Sequence, residues 1–215
     1  MTLKLEIFIV GQLENNACIL YDEVATKALI IDPSFESQPL LDFIDQNNLT
    51  VESILITHGH FDHFAGVSHI CASLPNKPTI GLHRADLDLW RAGGGSKEFQ
   101  ILIDLPDEPD IYLEEQQRIS LGTSHIEVRT APGHSSGSVI FYIPDLNTAL
   151  CGDVIFYHGV GRTDLPGGSY STLMSSIKKQ IFTLPPDTRL IPGHGPETTV
   201  KEEMDHNPYL EFSSL

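Results

Sequence analysis

The residues best suited to chemistry are concentrated in residues 57–63, THGHFDH, which hold three histidines and one aspartate. Histidine is the commonest metal ligand, and zinc-type ions accept imidazole nitrogen together with carboxylate oxygen. Four donors from one tight segment do not easily surround a single tetrahedral ion, so Asp62 and His63 should face a different ion from His58 and His60. The segment therefore predicts a site for two metal ions.

Further candidate ligands follow apolar runs, as this segment does. Residues 53–56 precede His58, and the runs 126–131, 148–151 and 189–191 precede His134, Asp153 and His194. Such runs, ending in Gly or Pro, are typical of β-strands. A lone histidine at a strand end is usually a structural group, so the inference depends on the joint pattern. If the strands lie side by side, one edge collects seven donors: His58, His60, Asp62, His63, His134, Asp153 and His194.

The other histidines examined lack ligand spacing. We interpret His69, His83, His125 and His158 as surface residues or as residues that support the ligands. His158 follows Asp153 closely and could also line the cleft.

Composition favours a compact enzyme. The 215 residues are 40% hydrophobic and 20% charged, which fits one domain over residues 1–215. No apolar run is long enough for a membrane helix, and Glu6 interrupts the N-terminal apolar stretch, which makes it a poor secretory signal. The three cysteines are widely spaced without a CxxC. We therefore expect a cytoplasmic protein without a disulfide framework or a cysteine zinc cluster.

The net charge of −16 argues against a nucleic-acid partner, since phosphate binding depends on clustered Lys and Arg. Two divalent ions would offset this charge locally, so the cleft could still attract an anionic small substrate. Most of the carboxylates are expected simply to form a solvated surface.

The order of predicted elements is strands, helix, strands and helix, which gives a mixed α/β protein. The least regular segment lies near residues 93–117, where Gly, Pro and acidic residues accumulate. A surface connection is one interpretation of this segment. A flap is the other, because Trp90 and Phe99 bracket the glycine run and could cover a substrate.

The chain resembles the metallo-β-lactamase superfamily, because it has the HxHxDH motif followed in order by His134, Asp153 and His194. Residues 159–168, 191–199 and 206–210 look like the single-domain type II glyoxalase group within it. The resemblance covers nearly the whole chain and implies an αββα four-layer sandwich. The longer two-domain glyoxalase II enzymes add a helical domain that binds glutathione, and we expect no such domain here, which puts glutathione specificity in doubt.

The resemblance also implies how the ligands are shared. His58, His60 and His134 would surround one ion, Asp62, His63 and His194 the other, and Asp153 would bridge them. Zinc is the favoured metal, although iron and manganese also accept these donors. Two ions about 3.5–4 Å apart can bring the pKa of a bound water toward 7, and that hydroxide would attack a thioester carbonyl. Asp62 could also orient the nucleophile by accepting its hydrogen bond.

The implied reaction is hydrolysis of an S-2-hydroxyacylglutathione, such as S-lactoylglutathione, to a hydroxy acid and glutathione. Arg162 would contact the substrate, or would alternatively pair with Asp164. An iron-dependent persulfide dioxygenase, using one ion at His58, His134 and Asp153, is the main alternative. A lactonase or β-lactamase and a non-catalytic binding role are weaker ones. Oligomeric state stays open.

Overall fold

The computed structural model describes residues 2–210, and its longer strands form two six-stranded sheets. The strands are β1 (Leu3–Val10), β2 (Asn15–Asp22), β3 (Lys27–Ile31), β4 (Thr50–Leu55), β5 (Thr79–His83), β6 (Ile111–Leu113), β7 (Arg118–Leu121), β8 (Ser124–Thr130), β9 (Val139–Ile143), β10 (Thr148–Gly152), β11 (Ile155–Phe156), β12 (Gly159–Val160), β13 (Arg189–Pro192) and β14 (Thr198–Thr199). β11 and β12 form a separate hairpin.

The α-helices are α1 (Gln38–Gln46), α2 (Phe61–Phe64), α3 (Val67–Ser73), α4 (Leu87–Arg91), α5 (Tyr170–Ser176) and α6 (Val200–His206). A π-helical turn, Ile177–Ile181, continues α5, and 3-10 turns lie at Arg84–Asp86, Pro144–Leu146 and Pro208–Leu210. Thr199 caps α6, since its hydroxyl accepts a hydrogen bond from the N–H of Glu202. Among residues 2–210, none of the helices combines the length and apolar character needed to cross a bilayer.

The first sheet has the order β1-β2-β3-β4-β5-β6, and the second has the order β14-β13-β10-β9-β8-β7. In the first sheet β3 to β6 run parallel, and in the second β10 and β13 do. Parallel neighbours place their carboxyl ends at one edge. This arrangement carries the loops after β3, β4, β10 and β13 toward one another.

Three apolar layers hold the sheets and helices together. Leu20 and Leu29 belong to the layer between the sheets, together with Phe141 of the second sheet. Neighbouring residues such as Ile19 face the opposite side of β2, because side chains alternate along a strand; they pack with Leu40 of α1. Leu173 of α5 packs on the outer face of the second sheet. The predicted αββα sandwich is confirmed.

Two local predictions differ from the structure. The sequence after the metal loop predicts one helix over residues 64–74, but the chain forms α2 and α3 with a break between them. The N–H of Gly66 donates to Pro33 O at 2.9 Å instead of to a carbonyl of its own helix. A Cβ at Gly66 would overlap Ser34 O, so only glycine allows this approach. The segment 93–117 is also not irregular throughout, because β6 pairs with β5 inside it.

Candidate metal centre

His58, His60 and His134 form the first cluster of possible metal ligands. His134 Nε2 lies 3.1 Å from His58 Nε2 and 2.9 Å from His60 Nδ1. All three residues are buried. Their ring nitrogens therefore converge on one point, as three imidazole ligands of one ion would.

Neighbouring groups fix which nitrogen of two of these rings carries the proton. His134 Nδ1 donates to the backbone carbonyl of Arg162 at 2.8 Å. The Thr57 hydroxyl donates to Asp32 Oδ2 at 2.6 Å, so it can accept from His58 Nδ1 at 3.1 Å. Both Nε2 atoms then present lone pairs to the cluster, which suits metal binding.

Burial lowers the pKa of His58 and of His60 and keeps these two rings neutral. Desolvation is the largest cause for His58, whose pKa lies well below its usual value, and the neighbouring His63 and His134 add to the effect. Burial, with His134 and His63, lowers the pKa of His60 to about 4. Neutral imidazole is the form that ligates a metal.

Asp62, His63 and His194 form the second cluster. His194 Nε2 lies 3.1 Å from Asp62 Oδ2, and His63 Nε2 lies 3.7 Å from the same oxygen. His194 Nδ1 donates to the carbonyl of Leu13 at 2.7 Å, which leaves Nε2 free for a ligand. Asp62 is in the first turn of α2, where a negative side chain is favoured.

The charge balance of the second cluster differs from that of the first. Burial lowers the pKa of His63, but Asp153, Asp62 and Asp32 outweigh it and hold the pKa well above its usual value. Burial raises the pKa of Asp153, but His63 and the other imidazoles outweigh it and lower the pKa overall. Positive charge is therefore stabilised at this position, which a cation would also satisfy.

Asp153 lies between the two clusters. Its Oδ1 is 3.3 Å from His63 Nε2 and 3.7 Å from His194 Nε2, while its Oδ2 is 3.6 Å from His134 Nε2. Oδ1 is buried without a hydrogen-bond partner among the described residues. A buried carboxylate oxygen without a partner is costly. The arrangement therefore fits a metal ion on each side of this carboxylate.

Glycine provides the space for these ligands. A Cβ at Gly193 would lie 2.2 Å from Asp153 Oδ1 and 2.6 Å from His63 Cε1. Gly193 also joins three strands, because its N–H donates to Gly152 O and its carbonyl accepts from the N–H of Asn16. The Pro-Gly sequence before His194 thus lets the backbone approach the carboxylate closely.

The sequence pattern does not identify Asp32 as part of the site, because Asp32-Pro33 after an apolar run indicates a turn. Its Oδ2 accepts a hydrogen bond from His63 Nδ1 at 2.8 Å, and its Oδ1 accepts one from the N–H of Thr57 at 2.8 Å. The available signal was its place directly after the apolar strand β3, the same setting as that of the predicted ligands. Asn15, whose amide nitrogen is 3.2 Å from His63 Nδ1, had no such signal.

Asp86 also went unrecognised, although it joins the two histidine loops. Its Oδ2 accepts from the N–H of Gly59 at 2.8 Å and from the Ser135 hydroxyl at 2.6 Å, and its Oδ1 accepts from the N–H of Gly137 at 2.6 Å. Ser135 therefore has a structural partner. Ser136, in contrast, lines the cleft above the clusters.

A cleft of about 920 Å³ opens onto both clusters. Its walls include Lys97, Phe99 and Arg162. The Phe99 ring is 53% exposed and lies 5.6 Å from the Phe61 ring. Trp90 does not contribute to a flap over the cleft, which was one of the two interpretations of this segment, because its side chain is buried and packs 4.3 Å from the Phe64 ring.

Arg162 pairs with Asp164, which was the alternative to a substrate contact. The guanidinium donates two hydrogen bonds to this carboxylate, at 2.8 and 2.7 Å, and holds the pKa of Asp164 down at about 2. Arg162 still lines the cleft, so its contact with substrate stays a prediction. His69, His83, His125 and His158 lie outside all the clusters described so far.

Comparison with known proteins agrees with this geometry. The model of the metallo-β-lactamase superfamily matches residues 12–194. "Probable metallo-hydrolase YqgX" of Bacillus subtilis is 36% identical over 96% of this chain and 97% of its own length. "Hydroxyacylglutathione hydrolase GloC" of Haemophilus influenzae is 31% identical over 99% of this chain and 100% of its own length.

Two solved structures are similar over almost the full chain. The B3 metallo-β-lactamase BLEG-1 superposes with a TM-score of 0.90 at 33% identity, covering 97% of this chain and 100% of its own. A di-iron-bound form of TTHA1623 superposes with a TM-score of 0.86 at 36% identity, covering 95% of this chain and 100% of its own.

Proposed function

We propose a thioesterase activity for this chain, which belongs to the metallo-β-lactamase superfamily and is a metallo-hydrolase of that superfamily. The proposed substrate is an S-2-hydroxyacylglutathione such as S-lactoylglutathione, and the products are the hydroxy acid and glutathione. The observation that carries the hydrolytic part is the meeting of two ligand clusters at Asp153, on the floor of an open cleft.

The proposed ligand set follows the two clusters. One ion is held by His58, His60 and His134, and the other by Asp62, His63 and His194, with Asp153 shared between them. Zinc is the proposed metal, since it accepts both imidazole and carboxylate. The di-iron-bound relative supports testing iron as well. When bound, two such ions supply Lewis acidity and an activated water.

Residues of the chain would position the reacting groups. Asp62 lines the cleft as well as the second cluster, so its carboxylate can accept a hydrogen bond from an attacking water and aim it at the carbonyl carbon. A carbon–oxygen bond then forms, the carbon–sulfur bond breaks, and the thiol leaves with a proton. Phe99 and Phe61 give an apolar wall that limits water around the thioester.

Charged residues on the rim favour an anionic thiol carrier. Lys97 is exposed and forms no ion pair among residues 2–210, while Arg162 is already paired with Asp164. Lys97 is thus the cation best able to meet a substrate carboxylate. The nearby Glu98 and Asp88 carry the opposite sign, which suits the ammonium group of a zwitterionic peptide thiol such as glutathione. The 31% identity to GloC supports the same choice.

The proposal is tested by measuring kcat/KM for S-lactoylglutathione with protein reconstituted separately with zinc, iron and manganese. A value within about 10⁴–10⁸ M⁻¹s⁻¹ for any of these metals supports the thioesterase. Oxygen uptake with glutathione persulfide and hydrolysis of a β-lactam are measured on the same samples. Negligible thioester hydrolysis in every fully loaded form would contradict the proposal.

β-Lactam hydrolysis is the second candidate, because the B3 metallo-β-lactamase BLEG-1 superposes over nearly the whole chain. The same ligand clusters could serve either reaction, since both begin with attack of water on a carbonyl carbon. The charged rim of the cleft distinguishes the two candidate reactions, because β-lactam hydrolysis does not require a subsite for a zwitterionic thiol. A kcat/KM for a β-lactam above that for S-lactoylglutathione would favour this second candidate.

A further inference from the structure

A third group of metal-ligating side chains lies outside the cleft, where the β11–β12 hairpin meets α6. His158 Nε2 is 2.8 Å from Glu202 Oε1, and His206 Nδ1 is 3.3 Å from the same oxygen. One ligand atom from each residue lies within 4.8 Å of the others. None of the three residues lines the cleft or touches the seven-donor centre.

The backbone around His158 is held in place by a buried carboxylate. Glu203 is fully buried, and its oxygens accept hydrogen bonds from the N–H of His158 at 3.1 and 3.2 Å, from the Thr198 hydroxyl at 2.7 Å and from Asn207 Nδ2 at 2.6 Å. Asn207 Nδ2 also donates to Gly159 O at 3.0 Å. The hairpin is therefore tied to the middle and to the C-terminal end of α6 before any ligand binds.

The conformation of His158 directs its ring toward the helix. Its φ is +53°, in the left-handed region that non-glycine residues seldom adopt. Tyr157 stacks on the imidazole, with ring centroids 4.0 Å apart and planes 19° apart. Such local strain persists only where surrounding contacts enforce it, and here those contacts present Nε2 to Glu202.

The Glu202 carboxylate does not make the capping contact that is common for a glutamate at this helix position. It is the third residue after the cap Thr199, where a glutamate often reaches back to the N–H of the cap residue. Here its carboxylate instead contacts His158 and His206. Glu202 and His206 are four residues apart on α6, which puts both side chains on one face of the helix.

We propose that His158, Glu202 and His206 form a separate binding site for a divalent metal ion that prefers imidazole, such as Zn²⁺. Zinc bonds of about 2.0–2.1 Å place tetrahedral ligand atoms roughly 3.4 Å apart. The separations of 2.8 and 3.3 Å are close to this value, and the ligand atoms of His158 and His206 lie within 4.8 Å of each other. Three protein ligands leave a fourth position for water or for a ligand from outside.

The ion at this site would act mainly on stability. It would crosslink α6 to the β11–β12 hairpin, which begins two residues after Asp153. Because the side chains are partly exposed, the site should bind zinc more weakly than the buried seven-donor centre. The inference does not depend on which substrate the cleft hydrolyses.

The test starts from protein whose seven-donor centre has been filled with zinc and freed of excess metal. Further Zn²⁺ is titrated by calorimetry, and bound metal is counted after equilibrium dialysis. Wild-type protein should bind one additional, weaker equivalent, accompanied by a higher Tm. Glu202→Gln and His206→Gln should lose that equivalent, while circular dichroism and thioester hydrolysis stay unchanged. Glutamine retains helix propensity at both positions.

His69→Gln provides the matched control, because His69 is an exposed helical histidine outside every ligand cluster. It should keep the additional equivalent and the zinc-dependent rise in Tm. Absence of an additional equivalent from wild type, or equal loss from His69→Gln and His206→Gln, would overturn the proposal. The second result would mean general binding of zinc to surface histidines.

Discussion

Asp32 Oδ2 lies 2.8 Å from His63 Nδ1, which joins the end of β3 to the metal loop after β4. The same oxygen accepts the hydroxyl proton of Thr57 at 2.6 Å, so one buried carboxylate orients two adjacent parts of the loop. The bond to Nδ1 leaves Nε2 of His63 facing Asp62 and Asp153. A carboxylate behind a histidine ligand fixes the tautomer and strengthens metal binding.

Asp32→Asn should therefore weaken metal binding at the second cluster more than at the first. At the Oδ2 position the amide NH₂ would face His63 Nδ1 and remove the acceptor that sets its tautomer, and at the Oδ1 position it would face the N–H of Thr57. Either placement also replaces the carboxylate charge behind His63 with a neutral amide. Loss of such a supporting group typically lowers metal affinity about 10–100-fold. Zinc titration of the metal-free protein measures the change, and hydrolysis should fall in parallel.

Asp22→Asn is the control for Asp32→Asn. Asp22 is also buried and accepts backbone N–H groups, at 2.9 and 3.0 Å, but it lies at the far end of β2 from the metal loop. This variant should lose stability and keep its metal affinity. If Asp32→Asn binds two zinc ions as tightly as wild type, Asp32 does not position His63 for metal binding.

Asp153→Ala should remove the group proposed to contact both ions. Loss of a direct ligand should exceed the roughly 100-fold upper range seen for supporting residues. We expect thioester hydrolysis and occupancy of the second cluster to fall together, while circular dichroism confirms that the fold is retained. Wild-type turnover with normal metal content would exclude Asp153 from the centre.

Arg162→Ala should raise KM with both metals retained, because only the side chain is removed and the carbonyl that orients His134 remains. A hydrogen bond to a charged group contributes about 1.5 kcal/mol or more, which corresponds to roughly a tenfold rise in KM. Asp164→Asn should have the opposite effect, since it frees the guanidinium from its ion pair. An unchanged KM in both variants would mean that Arg162 pairs with Asp164 and does not contact the substrate.

Lys97→Gln should raise KM for S-lactoylglutathione about two- to fivefold at low salt, the range expected from one exposed charge pair. The effect should shrink as salt is added, and it should be absent with the neutral S-lactoyl-N-acetylcysteamine. Lys77→Gln is the control, because Lys77 pairs with Asp107 outside the cleft. Equal effects on both substrates would exclude recognition of a carboxylate by Lys97.

Much of the fold followed from local pattern, because apolar runs and Gly or Pro punctuation mark most strands. The same pattern predicted that His134, Asp153 and His194 approach the metal loop, and their side chains do meet there. The residues that hydrogen-bond to these side chains were harder to predict from the sequence. Asp32 contacts His63 because β3 pairs in parallel with β4. The register of that pairing cannot be predicted from the sequence of either strand alone.

Contacts that depend on long-range packing could not be predicted. The sequence over residues 200–204 predicts only the start of a short helix, yet the Glu203 carboxylate within it is fully buried. It accepts hydrogen bonds from the N–H of His158, the Thr198 hydroxyl and Asn207 Nδ2. The break at Gly66 also depends on the distant Pro33 carbonyl. The ligand assignment itself stays a prediction, since convergence of donors does not identify the bound ion.

The most direct test of the proposed dinuclear thioesterase activity is a zinc titration of the metal-free protein with S-lactoylglutathione hydrolysis as the readout. The rate should rise to a plateau at two equivalents of zinc in wild type and should stay near background in Asp153→Ala. Any third equivalent should leave the rate unchanged. Wild-type protein that binds two equivalents and still fails to hydrolyse the thioester would contradict the account.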